Sequence, residues 1–173
     1  MRYGIIGNCK TAALIHETGS IDWCCLPNFD SPSVFAKILD AQGGHFRVSL
    51  VGDAKISQAY LPRTNILQTE FDDGENAFAL LDFMPRYREG STYQKPLEIH
   101  RILKPLRGRP VVTVSFQPRL NYAGGETRVI ERSSVITAAH SLESVFLYSS
   151  LPLRDVALQK SIPLAQEEYL FLS

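Results

Sequence analysis

The sequence has little that points to a membrane or to an exported protein. No apolar run approaches the ~20 residues that a membrane-spanning helix needs. The opening residues, MRYGIIGNCK, lack the long apolar stretch of a secretory signal. Taking residue 1 as the natural start, we expect a cytoplasmic protein with no membrane partner.

The sequence also lacks an excess of charge of either sign. It has 18 Lys and Arg residues against 18 Asp and Glu residues, and no basic run stands out. Nucleic acids and anionic membrane surfaces attract proteins through clustered positive charge. We therefore expect neither of them as a partner.

Cysteine is scarce, and its arrangement argues against disulfides. The three cysteines are Cys9, Cys24 and Cys25, an odd number that does not indicate a disulfide framework. Cys24 and Cys25 are neighbours on a predicted strand, so they point to opposite faces, and we expect buried thiols. The four histidines are scattered along the chain, so we expect no metal site and no cofactor.

None of the common catalytic motifs occurs in the sequence. It has no G-x-S-x-G, phosphate-binding loop, dinucleotide fingerprint or H-E-x-x-H. Asp82 ends an apolar run, and we expect it to pair with Arg86 or Arg88 rather than to act in catalysis. Glu98 and His100 alternate onto one face of a predicted strand, where we expect a surface ion pair. No two carboxylates stand out as an acid and a base.

Apolar residues recur with a period of two along most of the chain, which predicts β-strands. Turn residues separate these segments. The predicted strands are residues 11–16, 20–26, 45–51, 55–61, 65–71, 77–83, 97–104, 111–118, 127–132, 134–139, 144–149 and 168–172. Roughly a dozen short strands predict one all-β domain, either a large antiparallel β-sandwich or a barrel.

One short helix is predicted. Ser33 to Leu39 has apolar residues at helical spacing, and it follows Ser31 and Pro32. Ser31 suits the N-cap position, and proline is favoured at the first helical position. A helix of only ~7–8 residues depends on packing against the sheets.

The loop before this helix is the candidate functional segment. It lies between Pro27 and Pro32, and each proline restricts its own backbone and that of the residue before it. The loop carries an amide, an aromatic ring, a carboxylate and a hydroxyl, from Asn28, Phe29, Asp30 and Ser31. These groups suit a surface that contacts a sugar. The structural alternative is that Asp30 and Ser31 cap the helix and Phe29 fills the core.

Several motifs carry a resemblance to a known family. Residues 3–46 contain "IIGN", "TAAL", "GSIDW", "LPNFDSPSVF" and "GG" in that order, and "YLPRTNILQTEF" and "LLDFMPR" follow. The stretches "EIHRILKPLRGRPVVTVSFQPRLNYAG" and "LAQEEYLFLS" continue the pattern. Together they resemble the N-terminal part of the glucoamylase-like and trehalase-like proteins of glycoside hydrolase family 15. The first third of the chain is the most specific match.

The resemblance implies a fold and a division of roles. Family members join an N-terminal antiparallel β-sandwich to a C-terminal (α/α)6 barrel. The barrel carries two catalytic Glu residues that hydrolyse an α-glucoside, such as trehalose or a maltodextrin, with inversion. Residues 1–173 then form the sandwich alone, and the barrel of the same polypeptide is the expected partner. No glutamate here matches a catalytic motif of the family, so we expect no catalytic residue in this chain.

The resemblance also gives the loop a role. Asn28, Phe29, Asp30 and Ser31 become interface or substrate-rim residues facing the barrel. Asn28 stands where many relatives have Arg. The alternatives are a stand-alone carbohydrate-binding module, which calls for exposed planar aromatic rings, and a scaffold domain. A docking face left uncovered would let the fragment self-associate.

Overall fold

The computed structural model describes residues 2–173, which form two large antiparallel sheets. The strands are β1 Tyr3–Gly7, β2 Ala12–His16, β3 Ser20–Cys25, β4 Ser33–Phe35, β5 His45–Leu50, β6 Lys55–Tyr60, β7 Leu67–Asp72, β8 Ala77–Phe83, β9 Tyr87–Glu89, β10 Thr92–Gln94, β11 Ile99–Arg107, β12 Val111–Gln117, β13 Arg128–Glu131, β14 Ile136–His140, β15 Glu143–Ser149, β16 Ile162–Pro163 and β17 Glu168–Leu172. All twelve predicted strands are present, with small shifts at their ends. The sequence reasoning missed β1, β4, β9, β10 and β16.

Each sheet combines strands from distant parts of the chain. Sheet A has the order β1-β2-β3-β5-β12-β16, with β4 paired to β3. Sheet B has the order β13-β14-β15-β17-β11-β8-β7-β6. A separate two-stranded hairpin is formed by β9 and β10. The prediction of a large all-β sandwich is confirmed.

The core lies between the two sheets and is rich in aromatic rings. Alternate residues of β12 are buried, as the period of two requires, and they include Val112 and Val114. Phe46 of β5 packs edge to face against Phe116 of β12, with ring centroids 5.3 Å apart. Phe35 of β4 is fully buried against both of these rings.

The predicted helix over residues 33–39 is wrong. Ser33–Phe35 forms strand β4 instead, and Phe35 lies opposite Cys24 of β3. All three residues of β4 are buried. A short amphipathic helix buries one stripe and leaves the other side in water, whereas this segment is covered on both faces. A turn follows, closed by the hydrogen bond from the Ala36 amide to the Gly43 carbonyl at 2.8 Å.

The short α-helix of this structure lies elsewhere. It is α1, Leu153–Ala157, which follows Pro152 and buries Val156. A five-residue helix has too little periodicity to be recognised from sequence. Among residues 2–173, no helix is long and apolar enough to cross a membrane.

The cysteines follow the prediction. Cys24 is fully buried and Cys25 is 4% exposed, whereas Cys9 is exposed in the turn between β1 and β2. Burial raises the pKa of both the Cys24 and the Cys25 thiols. These two thiols are therefore protonated and apolar at neutral pH.

A buried guanidinium, that of Arg101 on β11, bonds to both sheets. Its Nε and Nη2 donate to the carboxylate of Asp82 on β8, at 2.7 and 3.1 Å. Its Nη1 donates to the Phe46 carbonyl, and its Nη2 to the Gly19 carbonyl, each at 2.6 Å. Arg101 and Asp82 are both completely buried. Burial raises the pKa of Asp82, and the adjacent guanidinium opposes that rise.

We expect Arg101→Met to lower the free energy of unfolding by about 3–5 kcal/mol, because it leaves a carboxylate and two carbonyls buried without their donor. The matched control is Arg107→Met, which removes an exposed pair with Asp72 and should cost less than about 1 kcal/mol. Urea denaturation of both variants measures the difference. Equal losses of unfolding free energy in the two variants would show that the buried Arg101–Asp82 pair contributes no more to stability than an exposed pair.

Candidate functional site

The loop between Pro27 and Pro32 is an exposed turn. The Ser31 amide donates to the Asn28 carbonyl at 3.2 Å, and the Asn28 amide donates to the Ser31 hydroxyl at 3.1 Å. Asn28, Phe29 and Asp30 are exposed, and Ser31 is half-buried. The structural alternative is therefore wrong in both parts, because no helix follows to be capped and Phe29 lies outside the core.

A second segment supports this turn from the side. The Tyr122 hydroxyl donates to the Ser31 carbonyl at 3.2 Å. Three successive residues here, Asn121, Tyr122 and Ala123, have left-handed backbone angles, with φ between 54° and 58°. Such angles cost roughly 1 kcal/mol or more for a non-glycine residue. The structure thus holds Tyr122 beside the loop in an unfavourable local geometry.

An apolar groove of about 240 Å³ lies next to the loop. Both sheets contribute to it at the same end of the sandwich. Its lining residues are Leu26, Pro27, Pro32, Val34, Leu97, Leu120, Glu143, Ser144, Val145 and Ser173. We call this end, with the loop, the Tyr122 turn, the Ser141–Leu142 turn and Ser173, the loop end.

Large apolar side chains remain exposed at the loop end. Phe29 is 63% exposed, Tyr122 is 55% exposed and Leu142 is fully exposed. Aromatic and apolar residues around a groove are typical of a surface that contacts another protein or a ligand. The loop end is therefore a candidate interface.

The other residues considered for chemistry do not meet at the loop end. Asp82 pairs with Arg101 in the core, so the expected pairing with Arg86 or Arg88 is wrong. The expected Glu98–His100 pair is present, with its oxygen and nitrogen 2.8 Å apart on the outer face of sheet B. Among residues 2–173, no group of three potential metal ligands comes together.

The larger crevice of the molecule is a seam between sheet edges. It measures about 730 Å³ and lies where β1 of sheet A faces β6 of sheet B. The Tyr60 hydroxyl accepts from the Ile5 amide and donates to the Ile5 carbonyl, both at 2.8 Å. The Asn65 side chain donates to the Gly7 carbonyl at 2.8 Å. These side chains cover the free edge of β1, so we assign the seam a structural role.

Sequence reasoning missed a buried carboxylate on sheet A, that of Asp22. The register of β2 and β3 shifts at this residue, which forms a β-bulge. Asp22 is 5% exposed and accepts hydrogen bonds from the Ser20 hydroxyl at 2.5 Å and the Tyr3 hydroxyl at 3.1 Å. Burial, the charge of Asp22 and this hydrogen bond raise the pKa of Tyr3 to about 12. The cluster ties β1 to β3.

The family model described as "Trehalase-like, N-terminal" matches residues 1–153 of this chain. The chain belongs to this family. It is a trehalase-like N-terminal region, and the resemblance predicted from its motifs is confirmed.

Similar proteins of known type are much longer than this trehalase-like N-terminal region. A trehalase from Thermoplasma volcanium is 38% identical over 159 residues, which are 88% of this chain and 25% of that protein. Trehalase 2 from Sulfolobus acidocaldarius is 39% identical over 133 residues, 74% of this chain and 21% of the relative. A Mycolicibacterium smegmatis trehalase is 46% identical over 68 residues. This chain thus spans about a quarter of the first relative's length, and no solved structure matches it.

The Asp22 cluster gives a spectroscopic prediction. Asp22→Asn should lower the pKa of Tyr3 toward its ordinary value, because the neutral amide no longer disfavours the tyrosinate, while burial keeps part of the shift. NMR shifts of the Tyr3 ring across an alkaline titration measure this pKa. Asp73→Asn, in an exposed turn, is the control and should leave it unchanged. An unchanged Tyr3 pKa in Asp22→Asn would contradict the contact.

Two phenylalanines six residues apart should respond differently to truncation. Phe29→Ala should change the free energy of unfolding by no more than about 0.5 kcal/mol, because the ring is exposed. Phe35→Ala should lower it by about 3–5 kcal/mol, because a cavity opens beside Phe46 and Phe116. Chemical denaturation of both variants measures the effects. A large loss in Phe29→Ala would place that ring in the core after all.

Proposed function

We propose that this chain is the non-catalytic N-terminal module of a trehalase-like glycoside hydrolase, and that its loop end packs against the catalytic domain of the same polypeptide. The observation that carries the proposal is membership of a family whose trehalase relatives extend far beyond the matched region. The relatives' name makes trehalose the first substrate to test. The cytoplasmic location expected from the sequence remains part of the same proposal.

The positions of the acidic candidates support a non-catalytic role. Inverting hydrolysis needs two carboxyl groups about 6.5–9.5 Å apart on either side of a sugar. Asp82 is sealed in the core by Arg101, and Glu98 is engaged with His100. Asp30 lies in the exposed loop turn. These three carboxylates thus occupy three different environments.

The loop end supports the docking part of the proposal. The exposed Phe29 belongs to the loop whose prolines line the apolar groove, and the exposed Tyr122 contacts that loop. Ser173 lines the same groove. Asn28, Asp30 and Ser31 add polar groups beside these rings, as at the polar rim of an interface. In this proposal, the four loop residues face the catalytic domain, where they contact either the domain or its substrate.

The arrangement of the aromatic rings supports a stand-alone carbohydrate-binding module less well than it supports docking to a catalytic domain. On the outer face of sheet B, Phe83, His100, Phe171 and Tyr148 stack in one row, with centroids 4.6–5.4 Å apart. Sugars stack on the flat faces of exposed rings, and here most ring faces already contact a neighbouring ring. The only Trp, Trp23, is half-buried on β3.

A chimeric enzyme tests the proposal. This chain replaces the matching quarter of the Thermoplasma volcanium trehalase, and glucose release from trehalose is compared for the chimera, the 173-residue chain and the relative without that quarter. We expect activity in the chimera, none in the chain alone, and lower activity or heat stability in the truncated relative. Glucose release by the chain alone would overturn the non-catalytic role.

An equally active and equally heat-stable truncated relative would overturn the docking role. Within the chimera, Phe29→Ser should lower the melting temperature, whereas the same change in the isolated chain should have little effect because the ring is exposed. Tyr169→Ser, at a ring 50% exposed on sheet B, is the control.

A further inference from the structure

A second feature projects from the loop end: the hairpin of β9 and β10, within residues 85–96, which we call the arm. It connects β8 to β11, although these strands are direct neighbours in sheet B, with His100 opposite Phe83. A tight turn would be enough to join them. The arm instead forms its own two-stranded sheet and pairs with neither large sheet.

The arm is exposed and has few contacts of its own. Its ladder has three residue pairs, from Thr92 opposite Glu89 to Gln94 opposite Tyr87. Tyr87 and Tyr93 are 52% and 57% exposed. A two-stranded hairpin alone is only marginally stable in water, and ordering each residue costs on the order of 1 kcal/mol. A surface that covers the arm would therefore stabilise it.

The base of the arm is fixed to the sandwich, unlike its tip. Pro85 and Pro96 lie at its two ends, and the side chain of the fully buried Asn8 donates to the Pro96 carbonyl at 2.9 Å. Leu97, the next residue, lines the apolar groove together with Ser173. The arm thus starts beside the groove, and its base is anchored to the buried Asn8.

The chemistry of the arm indicates what it binds. The guanidinium of Arg86 lies over the Tyr93 ring, 4.6 Å from its centroid, and Arg88 and Lys95 add further positive charge against the single acidic residue Glu89. The whole chain is neutral, so this excess is local. Arginine and tyrosine are the residue types enriched at the centre of protein interfaces. A protein surface with acidic groups complements this arm.

We propose that the arm packs on an acidic surface of the catalytic domain that follows this region in the relatives' polypeptide, as a second contact beside the loop-end groove. The inference rests on the proposed function, because it takes that domain as the occupant. In the chimera, the domain is joined at Ser173, which lies on the same groove as Leu97 at the base of the arm. Tyr87 and Tyr93 supply the apolar contact, and Arg86 and Arg88 supply the charge.

Hydrogen exchange tests the contact directly. Backbone amides of residues 87–94 should exchange quickly in the 173-residue chain and at least about tenfold more slowly in the chimera, because a covered hairpin opens less often. The turn at residues 72–76, at the opposite end of β8, is the internal control and should exchange equally in both. Equal exchange of the arm in both proteins would overturn the inference.

Variants separate the arm from the groove. Tyr87→Ser with Tyr93→Ser, and separately Arg86→Gln with Arg88→Gln, should leave the melting temperature of the isolated chain unchanged. In the chimera they should restore fast exchange of residues 87–94, and added salt should mimic only the arginine pair. Tyr169→Ser is the matched control. Arm variants that behave like this control would contradict the proposal.

The two proposals fail in different ways. If the wild-type chimera is inactive and the groove and the arm both exchange as in the isolated chain, the proposed docking function is wrong. If the chimera is active and the groove is protected while the arm still exchanges quickly, only the inference about the arm is wrong.

Discussion

The sandwich depends on one buried charge placed between its two sheets. Arg101 uses three nitrogens to reach a carboxylate in its own sheet and two backbone carbonyls in the other. A buried guanidinium without these four acceptors would be strongly unfavourable, so the contact requires β2, β3, β5, β8 and β11 to be in place together. The same guanidinium lies over the Phe46 ring, 4.7 Å from its centroid, at the centre of the aromatic core.

The Arg101 contact also restricts which residue can stand at position 19. The Gly19 carbonyl reaches Arg101 from the turn between β2 and β3, and Gly19 has a left-handed φ of 74°. A Cβ on Gly19 would lie 2.8 Å from the Phe71 ring, on the opposite sheet. Glycine is therefore required there both by backbone angle and by space. The start of the "GSIDW" motif is explained by sheet packing and by the bulge at Asp22, without any ligand.

The sequence predicted the strands well because a period of two is a local signal. Prediction from the sequence is wrong where the deciding contact joins residues far apart along the chain. Asp82 was expected to pair with an arginine a few residues away, and its partner is 19 residues distant on the adjacent strand. The apolar spacing at Val34 and Phe35 predicts a helix, although pairing with β3 decides the backbone there. The spacing of residues along the chain reveals neither the partner of Asp82 nor the strand at Val34 and Phe35, because both depend on which strands are neighbours in the sheet.

The candidate site was predicted in part for the same reason. Two prolines indicated a rigid loop at Asn28–Ser31, and the loop is indeed an ordered turn. Its support by Tyr122 joins residues 91 positions apart, and the groove needs both sheets, so neither follows from local pattern. The arm was missed because its strands have three residues each and are exposed on both faces, which leaves no alternation to detect.

The aromatic residues fall into a group that packs against other rings and a group that is exposed. Phe35, Phe46 and Phe116 fill the core, and the row containing His100 covers the outer face of sheet B ring against ring. At the loop end and on the arm, by contrast, Phe29, Tyr122, Tyr87 and Tyr93 are each more than half exposed. Because the core is complete without these four, their exposure is better explained by an interface than by incomplete packing.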